Sequence, residues 1–253
     1  KIVDFLDRVA TEKIEPFIDK SYQDLADYIN AYDQKMLMKR EVIADKGIWT
    51  AKKRYILNCW DIEGVRYEEP KLKMMGIEAV KSSTPAPCRD KIKEAMKILM
   101  TGTEKELNTF IQDFREEFMK LPPEAIAYPR SVNGLNKWNE SSTLFKKGTP
   151  IHVKGAILYN HVLKENKLTH KYPEIKDGEK IKFLYLRSPN IYQSTSISFL
   201  TKLPTELSLD KMVDYEVQFD KSFVEPLRVI TNKINMYIDD TYGQQSTLED
   251  FFG

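Results

Sequence analysis

Hydrophobic positions change their rhythm twice along the first half of this chain, and each change predicts a different architecture. Between residues 1 and 31, Ile2, Phe5, Leu6, Val9, Ile14, Phe17, Ile18, Leu25, Tyr28 and Ile29 recur at roughly the 3.6-residue period of an amphipathic helix. Pro16 is expected to open a second helical segment. From Lys35 to about Met75 the pattern shortens to β-like runs, Met36–Ala44, Ile48–Thr50 and Arg54–Trp60, with turn signals at Asp61–Gly64 and near Glu69–Pro70. A small antiparallel sheet is predicted there.

Helical spacing then returns. Ile92, Ala95, Met96 and Leu99 mark a helix that Gly102 ends. Thr103 with Glu106 three residues on is a capping box, opening a helix whose apolar stripe is Leu107, Phe110, Ile111, Phe114, Phe118 and Leu121. Pro122 and Pro123 stop it. Residues 128–149 show little periodicity and predict a long irregular connection. Beyond it, Pro150 leads a helix over Ile151–Lys164, Lys180–Leu186 suits a strand, and Asp210–Ile234 reads as helix interrupted at Pro226. The expected fold class is therefore α+β: a small antiparallel sheet with flanking helices, followed by a mostly helical region.

Composition narrows the class without naming a function. The 253 residues are 42% hydrophobic and 30% charged, enough apolar material for a sizeable core, and 39 basic against 38 acidic side chains leave a net charge of +1. A disordered, fibrous or membrane-spanning chain is excluded on these grounds, and no secretory signal is visible at the amino end. Cys59 and Cys88, without a nearby His, suit neither a disulfide framework nor a zinc site, so a reducing, intracellular setting is expected. The chain starts at Lys1 rather than Met, which suggests a piece or processed product of something longer. Charge is uneven: residues 1–34 carry four basic and eight acidic side chains, residues 35–97 carry fifteen and nine, and the last 18 residues hold four acids and no Lys or Arg.

Three clusters could carry chemistry. In Trp49-Thr-Ala-Lys-Lys-Arg-Tyr55, strand alternation would put Lys53 and Tyr55 on one face and Lys52 and Arg54 on the other. An ammonium beside a phenol suits a phosphodiester backbone, one supplying charge and the other a directed hydrogen bond; a solvated strand face is the alternative. The run Lys71–Glu78 leads into Lys81-Ser82-Ser83-Thr84 ahead of a helix, which is either an anion site or a plain helix cap. The two clusters are expected to line one surface. At the carboxyl end, Gln245, Leu248, Phe251 and Phe252 have the spacing Q-x-x-L-x-x-F-F, a three-pronged apolar plug on one helical turn that suits a protein partner.

Other candidates carry less. No phosphate-binding glycine loop, H-E-x-x-H or G-x-S-x-G motif is present, so no catalytic centre and no metal site is expected within the chain. Asp239-Asp240 reads as a solvated pair. His152, His161 and His170 read as surface or capping residues.

Taken in order, Ala51-Lys-Lys-Arg-Tyr-Ile-Leu-Asn58, Glu63-Gly-Val-Arg-Tyr67, Glu69-Pro-Lys-Leu-Lys-Met-Met-Gly-Ile-Glu78 and Lys81-Ser-Ser-Thr-Pro85 resemble the palm-to-thumb region of family B replicative DNA polymerases, above all those of T4-like bacteriophages. Residues 1–31 and Met38-Lys-Arg-Glu41 look like the palm segment downstream of that family's metal-binding hairpin. The likeness is dense to about residue 100, then thinner, resuming at His152-Val-Lys-Gly155, at Phe223–Leu227 and in the terminus.

The resemblance implies a palm remnant over residues 1–76, a thumb over 77–235 and a flexible sliding-clamp-binding tail over 236–253. It implies that Lys52, Lys53, Arg54 and Tyr55 grip the primer strand, Lys53 in the minor groove and Tyr55 on a phosphate, and that Lys81, beside Ser82, Ser83 and Thr84, contacts the duplex backbone. The tail from Gln245 to Phe252 would dock on the clamp. Glu41 matches a palm carboxylate near the metals, but Lys39 stands where relatives carry an acid. Further implications are primer–template DNA, a sliding clamp and an upstream polymerase portion as partners, Mg2+ for the complete polymerase, inactivity of this portion alone, and residence in the cytoplasm of an infected bacterium. The rival reading is a non-catalytic adaptor joining a clamp to other replication proteins.

Overall fold

The computed structural model describes residues 1–140 and 144–239. The chain divides into two compact units, Lys1–Met75 and the part from Gly76 onward. Small antiparallel sheets flanked by helices make up both, so the α+β reading holds.

The first unit opens with α1 (Ile2–Val9), a π-turn over Ala10–Ile14 and α2 (Glu15–Tyr28), which run on as one helical arm. Pro16 sits in the first turn of α2, where its missing N–H costs nothing. Residues 31–41, partly expected as strand, form an extended strap instead. The Arg40 N–H donates to Glu15 Oε1 at 3.1 Å and the Tyr22 hydroxyl to Met38 Sδ at 4.0 Å, which tie the strap to the arm, while the Glu41 carbonyl at its end accepts from the Glu63 N–H at 2.7 Å.

The sheet follows, β1 (Val42–Ala51), β2 (Arg54–Ile62) and β3 (Val65–Met75) in that spatial order, all antiparallel. Ile48–Thr50 is thus the end of one long strand. The turn expected at Glu69–Pro70 is absent. Pro70 lies in edge strand β3 where the ladder skips from Cys59↔Lys71 to Asp61↔Arg66, so no ladder bond needs its N–H.

One charged network ties α1 to this sheet. Asp61, 1% exposed, accepts from Arg40 Nη1 at 2.7 Å, Arg66 Nε at 3.2 Å and the Gly64 N–H at 3.0 Å. Arg40 also reaches Asp7 (2.7 Å), and Arg66 reaches Asp4 (2.7 Å) and Asp7 (3.5 Å). Burial opposes the Asp61 charge, yet hydrogen bonds from Arg40 and Gly64 outweigh it and hold its pKa below the ordinary value of 3.8.

The second unit contains α3 (Ala86–Thr101), α4 (Glu104–Phe118), α5 (Pro123–Ile126), β4 (Tyr128–Ser131), α6 (Leu135–Trp138), the short pair β5 (Asn139–Glu140) and β6 (Leu144–Phe145), and α7 (Ile151–Glu165). Strands β7 (Lys180–Tyr185) and β8 (Ser196–Phe199) and helices α8 (Tyr215–Phe219) and α9 (Glu225–Thr231) complete it. The reciprocal capping box Thr103–Glu106 forms as expected. The expected irregular connection contains regular structure at its start: β4 pairs with β7, with Tyr128 stacked on Phe183 at 5.0 Å, and a four-residue strand gives too short a period to read. The helix expected over Asp210–Ile234 is really a 3-10 turn, α8, a π-turn over Asp220–Val224, and α9 with Pro226 in its first turn.

Two layers of packing build this unit. Phe114 and Phe118 of α4 meet Phe219 and Phe223, with ring centroids 4.7 Å apart for Phe114–Phe223 and 5.2 Å for Phe118–Phe219. In the other layer α7 lies on β8 at Gly155, where a Cβ would come within 2.6–2.8 Å of Ser198 and the Ile197 carbonyl carbon. The fully buried Ser196 and Ser198 hydroxyls donate to the Ile151 and His152 carbonyls at 2.9 and 2.7 Å, so no polar cost remains. His152 packs against Phe183, and burial, then Arg130, lowers its pKa, while His161 meets Glu165 and His170 the Lys167 carbonyl. Cys88 is buried beside Ser222, and burial pushes its thiol up to about 12, so it is an inert core residue.

Candidate nucleic-acid interface

The Lys-Lys-Arg-Tyr element occupies the tip of the β1–β2 hairpin. Ala51 pairs with Arg54, leaving Lys52 and Lys53 as a two-residue turn rather than consecutive strand positions. The alternation expected from the sequence therefore fails at these two residues: both side chains are exposed at the tip. Lys53 has φ +60°, the left-handed conformation a tight turn requires and for which glycine or asparagine is the ordinary choice.

Arg54 and Tyr55 are half-buried at the start of β2. Tyr55 stands opposite Trp49 and Met75 on one face of the sheet, with Trp49 64% exposed and its indole folded back over Gly47. The tip thus presents two ammonium groups ahead of two aromatic rings. A phosphate can meet charge at the tip, and a sugar or base can meet the ring faces.

The second cluster separates. Lys71–Met75 belongs to β3, where Lys71 Nζ sits 4.1 Å from the Tyr67 ring centroid and Lys73 pairs with Glu41. That hydrogen bond, with burial opposing, raises the Lys73 pKa, so Glu41 is an ion-pair partner here. Lys81, Ser82, Ser83 and Thr84 lie in the second unit, ahead of α3. Lys81, its side chain 39% exposed, is held to Glu78 at 2.8 Å. Thr84 is buried, its N–H closing a turn onto the Lys81 carbonyl at 3.2 Å, and no side chain caps α3. The Ser/Thr cap offered by the sequence is not formed, and of the three hydroxyl residues Ser82 is exposed, Ser83 half-buried and only Thr84 buried. Instead Arg130, brought by β4, donates to the Ser83 carbonyl at 2.6 Å and adds a cation beside this loop. Nothing local in the sequence signals Arg130, which is 47 residues away and arrives through strand pairing.

Gln245, Leu248, Phe251 and Phe252 lie outside the described residues, as does Asp240. Among the described residues no group of three or more His, Cys, Asp or Glu side chains could hold a metal ion. No described helix is long and apolar enough to cross a membrane.

A hairpin tip that exposes two lysines ahead of aromatic rings has the chemistry to meet a phosphate backbone. No protein-family model matches the chain. Over 99% of its length it is 36% identical to the DNA-directed DNA polymerase of Escherichia phage RB69, and over 100% it is 31% identical to that of Enterobacteria phage T4. End to end, the chain is a relative of phage DNA-directed DNA polymerases. It spans 28% of the length of each of these two.

Proposed function

We propose that this chain is the carboxyl-terminal palm and thumb portion of a family B DNA-directed DNA polymerase acting in an infected bacterial cell, and that it grips primer–template duplex by the sugar–phosphate backbone. The observation that carries this reading is similarity to two phage polymerases along the whole chain, coinciding with exposed Lys52 and Lys53 at a hairpin tip. The first unit supplies the palm part and the unit from Gly76 the thumb. Lys52 and Lys53 contribute charge, Tyr55 a phosphate hydrogen bond, and Lys81 and Arg54 secondary contacts. Lys81 must share its charge with Glu78, so its contribution is the smaller. Catalytic carboxylates are assigned to the rest of the polymerase.

Primer extension tests the assignment. The chain alone should add no nucleotides; mixed with the remaining portion of a T4-like phage polymerase and Mg2+, it should restore extension by orders of magnitude over that portion alone. Extension by the chain alone would place catalytic groups within it and refute the division of labour. Absence of duplex binding even at low salt would favour the adaptor reading.

The terminal segment is proposed to dock on a sliding clamp through Leu248, Phe251 and Phe252, with Gln245 alongside. Deleting Gln245–Gly253 should abolish clamp binding in surface plasmon resonance and leave affinity for a short duplex unchanged. Loss of both would assign the segment to the thumb fold instead.

A further inference from the structure

The helical arm presents an apolar stripe that nothing in its own unit covers. Phe5, Leu6, Ile14, Phe17, Leu25 and Tyr28 are all exposed, Phe17 at 71% and Tyr28 at 85%. The residues the arm buries are two alanines, Ala10 and Ala26, and the others that face inward are only half-covered. An amphipathic helix normally turns its large side chains inward. Here the small ones face the protein and the large ones face solvent.

The π-turn over Ala10–Ile14 makes this stripe continuous. Phe5 and Phe17 are twelve residues apart, which in an unbroken α-helix separates them by about 120° around the axis. A π-turn accommodates one extra residue and takes back about 100°. The same correction brings Leu25 into line with Leu6. A straight helix would split these side chains between two faces, whereas the inserted turn joins them into one ridge about 35 Å long. Monomeric proteins rarely expose apolar ridges of this size without a partner.

We propose that this ridge is the docking surface for the remaining portion of the DNA polymerase, a proposal that rests on the function proposed above. Two observations select that occupant. The relatives continue over about 72% of their length beyond the part this chain matches, so in them a large further portion of polymerase is there for such a ridge to pack against. With Asp4 and Asp7 paired to Arg66 and Arg40, residues 1–34 keep six acidic against four basic side chains, a mild excess that disfavours duplex and anionic lipid. The partner surface is therefore an apolar groove with a basic rim.

The test compares the full chain with a Phe5→Glu/Phe17→Glu double variant, both positions being exposed so that folding is retained; equal thermal melts and equal duplex affinity check this. The probe is the portion of the RB69 phage polymerase outside the matched 28%, used in calorimetry and primer extension. The full chain should bind it, and the variant should bind at least ~30-fold more weakly, as expected when two central aromatic anchors are lost. Equal binding by both would overturn the docking surface while leaving the polymerase reading intact. Self-association of the full chain that the variant abolishes would make a second copy the occupant and overturn the proposal. If the full chain neither binds the probe nor supports extension, the proposed function itself fails.

Discussion

Replacing Lys52 and Lys53 together by alanine should weaken binding of a primer–template duplex on the order of 10- to 100-fold near 0.1 M salt, equally for unrelated base sequences. The argument is ionic. Each phosphate neutralised contributes about −0.9 to the slope of log affinity against log salt, so losing two should flatten that slope by about 1.8. The hairpin tip is where the effect should concentrate, because both side chains are exposed there. Lys81→Ala should cost less, since Lys81 already serves Glu78 at 2.8 Å. Anisotropy titrations on two duplexes of different sequence at several salt concentrations measure all of this; an unchanged slope, or a loss confined to one sequence, would exclude backbone gripping by the tip.

Lys53→Gly separates charge from turn geometry in the same assay. At φ +60° a lysine carries a steric cost of about 1 kcal/mol that glycine does not. The variant should therefore melt no lower than the parent and yet bind duplex more weakly. An affinity equal to that of the parent would mean that Lys53 is only a turn residue.

Period and punctuation in the sequence reach as far as local causes do. The Thr103–Glu106 capping box, the Phe-rich stripe of α4 and the Asp61–Gly64 turn are all set within a few residues, and all three appear as expected. The strap over residues 31–41 is different. Met36, Leu37 and Met38 suggest a strand, but the strap is held by Glu15, which accepts from the Arg40 N–H, and by Tyr22 at the Met38 sulfur, from a helix that sequence spacing cannot place beside it. The Lys52–Lys53 pair was legible as a basic element and illegible as a turn, because neither residue has turn propensity and the pairing of Ala51 with Arg54 decides it. Likewise Lys81 reads as a free cation until Glu78 is seen folding back onto it through a 3-10 turn. The helical arm gave the right period but hid its π-turn, since a stripe that drifts by about 100° midway looks in sequence like two helices meeting at Pro16.

Asp61→Ala should destabilise the first unit by about 3–5 kcal/mol, the range for removing one partner from a buried ion pair. The carboxylate is 1% exposed and serves two guanidinium groups and the Gly64 N–H, so alanine leaves Arg40, itself only 15% exposed, with Asp7 alone. The pH dependence follows from the depressed pKa of Asp61. A carboxyl more acidic when folded than when unfolded stabilises above its unfolded value and loses that contribution as pH falls through its folded value. The deficit of Asp61→Asn relative to the parent should therefore be full at neutral pH and shrink below about pH 4. Urea denaturation followed through Trp49 and Trp60, in a Trp138→Phe background, isolates the unit that holds Asp61. A loss under ~1 kcal/mol at pH 7 would show that the network is solvated and replaceable. Because this network fixes α1 to the sheet whose tip carries Lys52 and Lys53, the same variant should also blunt duplex binding and the docking of the apolar ridge together, whereas Lys52/Lys53 substitutions affect only the first and Phe5/Phe17 substitutions only the second.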